Sequence, residues 1–169
     1  VYFDQNLDKL ITLADRAAAV GVERYVVDDG WFGSRRDDRS GLGDWTVSPD
    51  VWPNGLHPLV NHVKSLGMQF GLWFEPEMVN EDSDLARNPP DWLMAPGERL
   101  PRQWRHQQVL NLTIPQAWQY IHDSVAAIIE EYGLDYIKWD HNRNLLESGT
   151  RATGVPAVHE QTLATYRLI

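Results

Sequence analysis

The sequence of 169 residues is 43% hydrophobic and 23% charged, and its formal net charge at pH 7 is -9. This composition is typical of a chain that folds around a hydrophobic core. The acidic balance argues against a nucleic-acid partner, which would need clustered Lys and Arg to neutralise phosphates. Cysteine is absent, which excludes disulfides and thiolate metal sites and leaves the cellular compartment open. We also expect no membrane partner.

A repeating order of elements begins near the N-terminus: an amphipathic helix, a glycine, and a short apolar strand that ends on carboxylates. Apolar residues recur at helical spacing over residues 7–18, and Gly21 suits the left-handed position that ends a helix. Residues 25–27 are apolar or aromatic and lead into Asp28 and Asp29. The pattern predicts a helix and then a strand with two carboxylates at its end.

The same order returns in a second unit. An apolar stripe over residues 59–66 predicts a helix, and Gly67 ends it. Residues 70–74 predict a strand that leads to Glu75. The second strand therefore also ends on a carboxylate.

The third unit has the clearest boundaries. Thr113 is predicted to cap a helix whose first turn contains Pro115, residues 118–132 supply its apolar face, and Gly133 ends it. Residues 136–140 then predict a strand that closes on an aspartate. Residues 158–169 predict a further helix, since they have no Gly or Pro that would end one.

Alternating helices and strands predict an α/β fold with a parallel sheet. The long segments 31–56 and 78–112 both follow strands, whereas the segments after the helices are short, as in a (β/α)₈ TIM barrel whose active site lies at the carboxyl ends of its strands. A doubly wound sheet stays open, although no Gly-rich phosphate motif follows a strand. Residues 1–3 are interpreted as the tail of an earlier strand and residues 108–112 as an additional short one.

A complete barrel takes roughly 250 residues, so we expect this chain to be about the first half of one. The sequence also begins without an initiator Met, which favours an excerpt of a longer protein. We therefore interpret residues 1–169 as a partial catalytic barrel domain that lacks the second half of the barrel.

The last strand carries the main chemical prediction. Side chains alternate along a strand, so Lys138 and Asp140 project to the same side and meet in one pocket. A nearby ammonium favours the ionised carboxylate that a nucleophilic Asp requires. An ordinary ion pair at a strand end is the alternative, and a Schiff-base role for Lys138 in an aldolase-type barrel is another.

Further candidates lie at the other strand ends. Asp28 and Asp29 can accept hydrogen bonds from sugar hydroxyls, or one of them can cap the following turn. Trp73 and Glu75 share one face of their strand, although core packing would also explain the tryptophan. Arg105 is either a donor to a substrate hydroxyl or a solvated surface residue.

The histidines do not predict a metal centre. His57 and His62 are five positions apart, and no zinc-binding spacing accompanies them. His141 adjoins Asp140 and either shapes the pocket or is a packed or surface residue. We expect neither a metal nor a cofactor.

Four segments, in this order, resemble α-galactosidases of glycoside hydrolase family 36: DDGWFG at 28–33, GDW at 43–45, WFEPE at 73–77 and KWDHNR at 138–143. The resemblance spans essentially the whole chain. It implies a (β/α)₈ catalytic domain flanked by β-domains that this sequence does not contain, often in a homotetramer, and a cytoplasmic location for a bacterial parent.

The resemblance also implies a reaction, the retaining hydrolysis of terminal α-D-galactosides such as melibiose and raffinose. Asp140 matches the nucleophile that forms a galactosyl ester, Lys138 matches the lysine beside it, and Asn142 lies near the C2 hydroxyl. The family's acid/base aspartate follows a segment beyond the nucleophile, and the sequence stops before it. We therefore expect the isolated chain to have little or no activity.

The resemblance assigns the remaining candidates to substrate binding. Asp28 and Asp29 match the pair that grips the C4 and C6 hydroxyls of galactose, and Trp73 and Arg105 match pocket positions. A related transglycosylase or an α-N-acetylgalactosaminidase fits the same residues. A non-catalytic sugar-binding fragment is the remaining alternative, because the visible chain lacks an acid.

Overall fold

The computed structural model describes residues 2–87, 90–151, 153 and 155–169. The helices are α1 Leu7–Ala19, α2 His57–Ser65, α3 Asp84–Arg87, α4 Pro115–Tyr132 and α5 Val158–Tyr166, with a short 3₁₀ helix at Pro90–Trp92. The strands are β1 Arg24–Val27, β2 Gln69–Phe74, β3 Met78–Asn80, β4 Gln107–Val109 and β5 Tyr136–Trp139.

A parallel sheet in the order β1-β2-β5 forms the centre of the fold. Val27 lies opposite Leu72, and Trp73 lies opposite Lys138, so the carboxyl ends of the strands meet at one edge of the sheet. The α/β class is thereby confirmed. Because each strand is followed by a long connection at this edge, the residues that follow the strands converge there.

The connection from β2 to α4 contains its own two-stranded antiparallel sheet. β3 pairs with β4, and Asn80 lies opposite Gln107. The predicted strand at 108–112 is thus displaced toward the N-terminus, because pairing with β3 places the ladder at 107–109. This small sheet holds the two ends of the long connection together.

Aromatic residues of the long connections extend the hydrophobic core of the sheet. Trp31, Phe32 and Trp45, from the segment after β1, are buried. Phe32 and Trp45 lie 4.5 Å apart between ring centroids, and Trp31 packs edge-on against Phe74 of β2 at 5.3 Å. Aromatic contacts of this kind add to the free energy gained by burial. They fix the segment after β1 against the end of β2.

The helix ends agree with the sequence in part. Gly133 follows α4 with φ 55°, in the left-handed conformation expected there. The predicted Thr113 cap is wrong, because α4 begins after Ile114 without a side-chain cap and the Thr113 hydroxyl donates to Asn111 instead. Pro115 is the first residue of the helix and lacks the N–H that such a cap would satisfy.

Two boundaries at the chain termini also differ from expectation. Tyr2 and Phe3 lie in a turn rather than in a strand, and Val1 lies outside the described residues. α5 ends at Tyr166, three residues before the end of the predicted helix. Tertiary contacts that a local pattern does not indicate place these segments: Phe3 lies against Arg35, and Gln161 and Thr165 of α5 donate to Leu110 and Glu77.

Candidate active site

A pocket of about 280 Å³ opens at the carboxyl ends of β1, β2 and β5. The side chains predicted from the sequence all line it: Asp28, Asp29, Trp73, Arg105, Lys138, Asp140 and Asn142. The parallel sheet explains this convergence, since it brings the ends of three separate strands to one edge. The structure therefore gathers the candidate residues into a single site.

A larger groove of about 520 Å³ lies between the start of α4 and α5. Its charged lining residues are Glu160 and Arg167, and its surface is mainly apolar. We place the candidate site in the smaller pocket, because several carboxylates and donors converge there as catalysis of a polar substrate requires.

Asp29 forms the buried wall of the pocket together with Arg35. The guanidinium donates from Nε to Oδ1 at 2.9 Å and from Nη2 to Oδ2 at 2.8 Å. The side chains are only 3% and 8% exposed for Arg35 and Asp29, so the two charges need each other in the low dielectric of the interior. This two-pronged contact fixes the plane of the Asp29 carboxylate.

A glycine allows the chain to turn directly after the two aspartates. Gly30 has φ +91°, and a Cβ at this position would lie 2.6 Å from Nε2 of Gln5. The Gly30 N–H donates to Oδ1 of Asp29 at 2.8 Å. The predicted turn contact thus exists alongside the position of Asp29 in the pocket wall.

Trp73 and Glu75 reach the pocket from the end of β2, on one face as predicted. Trp73 is buried and stacks on Phe32 at 6.1 Å, so packing and pocket lining occur in the same residue. Glu75 is almost fully buried and accepts the backbone N–H of Asn142 at 2.5 Å and Nε2 of Gln107 at 2.9 Å. Burial raises the pKa of Glu75, and these hydrogen bonds oppose the increase.

Lys138 and Asp28 form a second ion pair, on the solvent side. Nζ of Lys138 lies 2.6 Å from Oδ2 of Asp28, and both side chains are 45% exposed. The hydrogen bond to Asp28 raises the pKa of Lys138, so its ammonium form is favoured. The expected partner was Asp140; it lies in the same pocket, but the direct contact of Nζ reaches across the end of β2 to Asp28, which follows β1.

Asp140 is held mainly by hydrogen bonds. Trp73 donates from Nε1 to its Oδ2 at 2.9 Å, and the His141 N–H donates to its Oδ1 at 2.9 Å. Partial burial raises the pKa of Asp140, but hydrogen bonds from Trp73 and Asn142 and the charge of Lys138 outweigh this effect and hold the pKa below its usual value. The carboxylate is therefore ionised at neutral pH, as a nucleophile requires.

Arg105 closes the pocket from the connection before β4. It lies with His106 in a tight turn in which both residues have positive φ, at 53° and 61°. Nη1 of Arg105 donates to Oδ1 of Asn142 at 2.8 Å. The exposed Arg105 and the half-buried Asn142 thus join two separate connections at the pocket rim.

Other residues from the same motifs lie outside this pocket. The His141 ring contacts Glu77 at 3.3 Å and does not line the cavity. Asp44 accepts the N–H groups of Asp84 and Leu85 at the start of α3, both at 3.0 Å, so it stabilises the helix end. These two motif residues support the walls rather than face the cavity.

The sequence did not single out several lining residues: Tyr2, Phe3, Arg35, Asp38 and Gln107. Arg35 is the most consequential of these, because it binds Asp29. Its segment contains several Arg and Asp side chains at similar spacing. No local signal distinguishes the one that the chain folds back onto Asp29.

Within the described ranges, no cluster of His, Asp and Glu could hold a metal ion. Over the same ranges, no helix is both long and apolar enough to cross a membrane. The pocket instead offers carboxylate acceptors, cationic donors and an indole face. This set suits a polyhydroxylated neutral ligand, since each hydroxyl can both donate and accept.

A family model described as Melibiase matches residues 1–169. The α-galactosidase of Escherichia coli is 51% identical over 100% of this chain, which covers 24% of that relative. AgaA of Geobacillus stearothermophilus, also an α-galactosidase, is 41% identical over 99% of this chain and 24% of its own length. The chain thus spans about a quarter of the length of these relatives.

Solved structures are similar over the same extent. The GH36 α-galactosidase AgaB from Geobacillus stearothermophilus has a TM-score of 0.91 and 41% identity, over 98% of this chain and 24% of that one. A variant of AgaA in complex with raffinose has a TM-score of 0.91 and 40% identity, over 99% of this chain and 24% of that one.

Proposed function

Because this chain belongs to the Melibiase family, we propose that it forms part of the catalytic domain of an α-galactosidase that hydrolyses terminal α-D-galactosides. The observation that carries the proposal is the convergence of Asp28, Asp29, Lys138 and Asp140 on one pocket at the strand ends. The similarity to the curated α-galactosidases, and to an AgaA variant in complex with raffinose, supports galactosides as the substrate class.

The catalytic domain is a (β/α)₈ barrel in this proposal, and residues 1–169 form roughly its first half. The sheet order β1-β2-β5 supports it, since the strands follow one another in space as they do in the chain. A barrel continues this order around a closed circle, whereas a doubly wound sheet reverses it at a switch point. The long connections at the carboxyl edge are also those that build barrel active sites.

Asp140 attacks the anomeric carbon of the galactoside and forms a galactosyl ester, which water then hydrolyses. Its ionised state and its fixed orientation support this role, because Trp73 and His141 occupy one oxygen each and leave further lone pairs free. Retention requires a second carboxyl group roughly 5 to 5.5 Å away that protonates the leaving oxygen. That group lies beyond this chain in the proposal; Glu75, although near, is buried and already accepts hydrogen bonds from two donors.

The other pocket groups bind the galactose hydroxyls. Asp28 and Asp29 accept from the C4 and C6 hydroxyls, and Asn142 contacts the C2 hydroxyl. Trp73 supplies an aromatic wall, and Arg105 closes the rim. The raised pKa of Lys138 argues against a Schiff-base mechanism, which needs the neutral amine.

Covalent labelling of the full-length protein tests the proposal. An activated fluorogalactoside should leave a fluorogalactosyl ester on the peptide that contains Asp140, detected by mass spectrometry. With an ordinary α-galactoside, α-galactose should be the first product seen by NMR. The Asp140→Asn variant is the matched control and should remain unlabelled. Labelling of another carboxylate, or borohydride trapping of a carbonyl substrate on Lys138, would contradict the assignment, and binding without turnover would favour a sugar-binding protein.

A further inference from the structure

Asn80 is a fully buried asparagine at the end of β3. Its side-chain oxygen accepts Nη1 of Arg35 and the N–H of Leu42, both at 2.9 Å. Its side-chain nitrogen donates to the carbonyl oxygens of His106 at 2.8 Å and Asp38 at 3.3 Å. The amide thus uses both acceptor sites and both donor hydrogens, and two donors face its oxygen while two acceptors face its nitrogen.

One side of this amide leads to the buried wall of the pocket. Arg35 places its Nε and Nη2 on Asp29 and its Nη1 on Asn80. The third nitrogen therefore prevents the guanidinium from rotating about its contact with the carboxylate. Asn80 fixes Asp29 through a single intervening side chain.

The other side leads to the pocket rim. His106 accepts from Asn80 through its carbonyl oxygen, and Arg105 precedes it in the tight turn. Consecutive non-glycine residues at positive φ, 53° and 61°, are unfavourable and persist only where surrounding contacts hold them. The Asn80 amide is one such contact, and the pairing of Asn80 with Gln107 is another. The turn that presents Arg105 is thus tied to β3.

We propose that Asn80 is a positioning residue that sets Asp29 and Arg105 at a fixed separation across the sugar-binding pocket. The inference rests on the proposed function, since it concerns binding of the same galactoside. Only an amide meets the requirement at this position: a carboxylate would turn oxygens toward two carbonyls, and an aliphatic side chain would remove the partner of the buried Leu42 N–H and leave Nη1 of Arg35 with its longer contact to the Ser40 carbonyl, at 3.2 Å.

The test uses the full-length protein with Asn80→Ala and Asn80→Asp, assayed on an α-galactoside. Asn80→Ala should lower kcat/KM by about 100-fold, the cost of a displacement near 1 Å in a binding group. The loss should fall mainly in KM, because Asp29 and Arg105 bind hydroxyls while Asp140 lies outside the network. Asn80→Asp keeps the size and the acceptor toward Arg35 and should raise KM by about tenfold.

Asn111→Ala is the matched control. Asn111 is also buried and accepts hydrogen bonds from Thr113, but it lies outside the pocket. It should lower the melting temperature as Asn80→Ala does while leaving KM unchanged. A KM effect of equal size in this control would reduce Asn80 to a general structural role and overturn the proposal.

A double-mutant cycle isolates the link to Arg105. Arg105→Ala should cost at least about threefold less in the Asn80→Asp background than in the wild type, since residues in one network are coupled. Equal costs in both backgrounds, or a wild-type KM in Asn80→Asp, would overturn the inference while leaving the proposed function intact. A wild-type protein that neither hydrolyses nor binds galactosides would overturn the proposed function, and the inference with it. If Asn80→Ala does not fold, the KM of Asn80→Asp tests the inference in its place.

Discussion

Two ion pairs line the pocket, and they are held in different ways. Arg35 and Asp29 are 3% and 8% exposed and share two hydrogen bonds, whereas Lys138 and Asp28 are both 45% exposed and share one. Breaking a buried pair strands a charge in the interior, but breaking an exposed pair returns both charges to water.

This difference in exposure suggests that one ion pair mainly holds the pocket in shape, whereas the other lies among the groups that meet the substrate. Asp29, in the buried wall, can bind substrate only through the lone pairs that Arg35 and the Gly30 N–H leave free, so its geometry is set before a ligand arrives. The exposed wall, with Lys138, Asp140 and Asn142, keeps water-accessible groups that a substrate can displace. We therefore expect substitutions in the first wall to affect stability and binding together, and those in the second to affect mainly catalysis.

Removal of the nucleophile should give the largest effect. Asp140→Asn should lower kcat by about 10,000-fold or more, the scale on which loss of an essential catalytic group acts. The melting temperature should change little, because the amide can keep the contact with Trp73. Steady-state kinetics and thermal melts measure both, with the exposed Asp8→Asn as control. Unchanged kcat would remove Asp140 from the mechanism.

The buried ion pair should respond next most strongly. Arg35→Met leaves Asp29 without a partner and should cost about 3–5 kcal/mol of stability, whereas Lys138→Met should cost about 1 kcal/mol or less. Chemical or thermal denaturation measures the contrast, and Arg39→Met serves as the exposed arginine control. Equal costs for the two pairs would show that burial does not distinguish the walls.

The hydrogen bond from Trp73 at the end of β2 to Asp140 should have an intermediate effect. Trp73→Phe removes the donor, so the pKa of Asp140 should rise and the acidic limb of the kcat/KM profile should move to higher pH. Loss of a hydrogen bond to a charged group should lower kcat/KM by about tenfold or more. Trp52→Phe is the control, since Trp52 is buried away from this pocket and, within the described residues, its Nε1 has no partner. An unshifted acidic limb would contradict the link.

Glu75 should give the smallest effect, visible in the pH dependence of stability. Its raised pKa means that the folded protein binds a proton more tightly than the unfolded chain, so stability contributed by Glu75 is lost as the pH rises from its ordinary pKa through the raised one. Glu75→Gln removes this loss. Melting temperatures should therefore shift in favour of the variant as the pH rises above the ordinary pKa of a glutamate, and thermal melts over this range measure the shift. A constant difference across this range would mean that folding does not raise the pKa of Glu75.

The sequence predicted the elements whose signals are local. The helix, glycine and strand order recurs in α1 with β1, α2 with β2, and α4 with β5, because amphipathic spacing and a left-handed glycine are properties of short segments. The parallel arrangement followed from this order, and so did the meeting of Asp28, Trp73 and Asp140 at one edge. The misplaced Thr113 cap shows the limit of local signals, since the Thr113 hydroxyl donates to Asn111 and the helix begins after Ile114.

The tertiary structure alone decided which partner each polar group takes. Lys138 binds Asp28 rather than its strand neighbour Asp140, and Arg35 folds back onto Asp29. Asn80 joins two connections that the sequence left without regular structure. A hydrogen bond depends on the approach of two atoms to about 3 Å, and no periodicity in the chain specifies that approach between distant segments. Spacing thus indicated which strand-end residues reach the pocket, and packing of the long connections brought Arg35 and Gln107 there and determined how the polar groups are held.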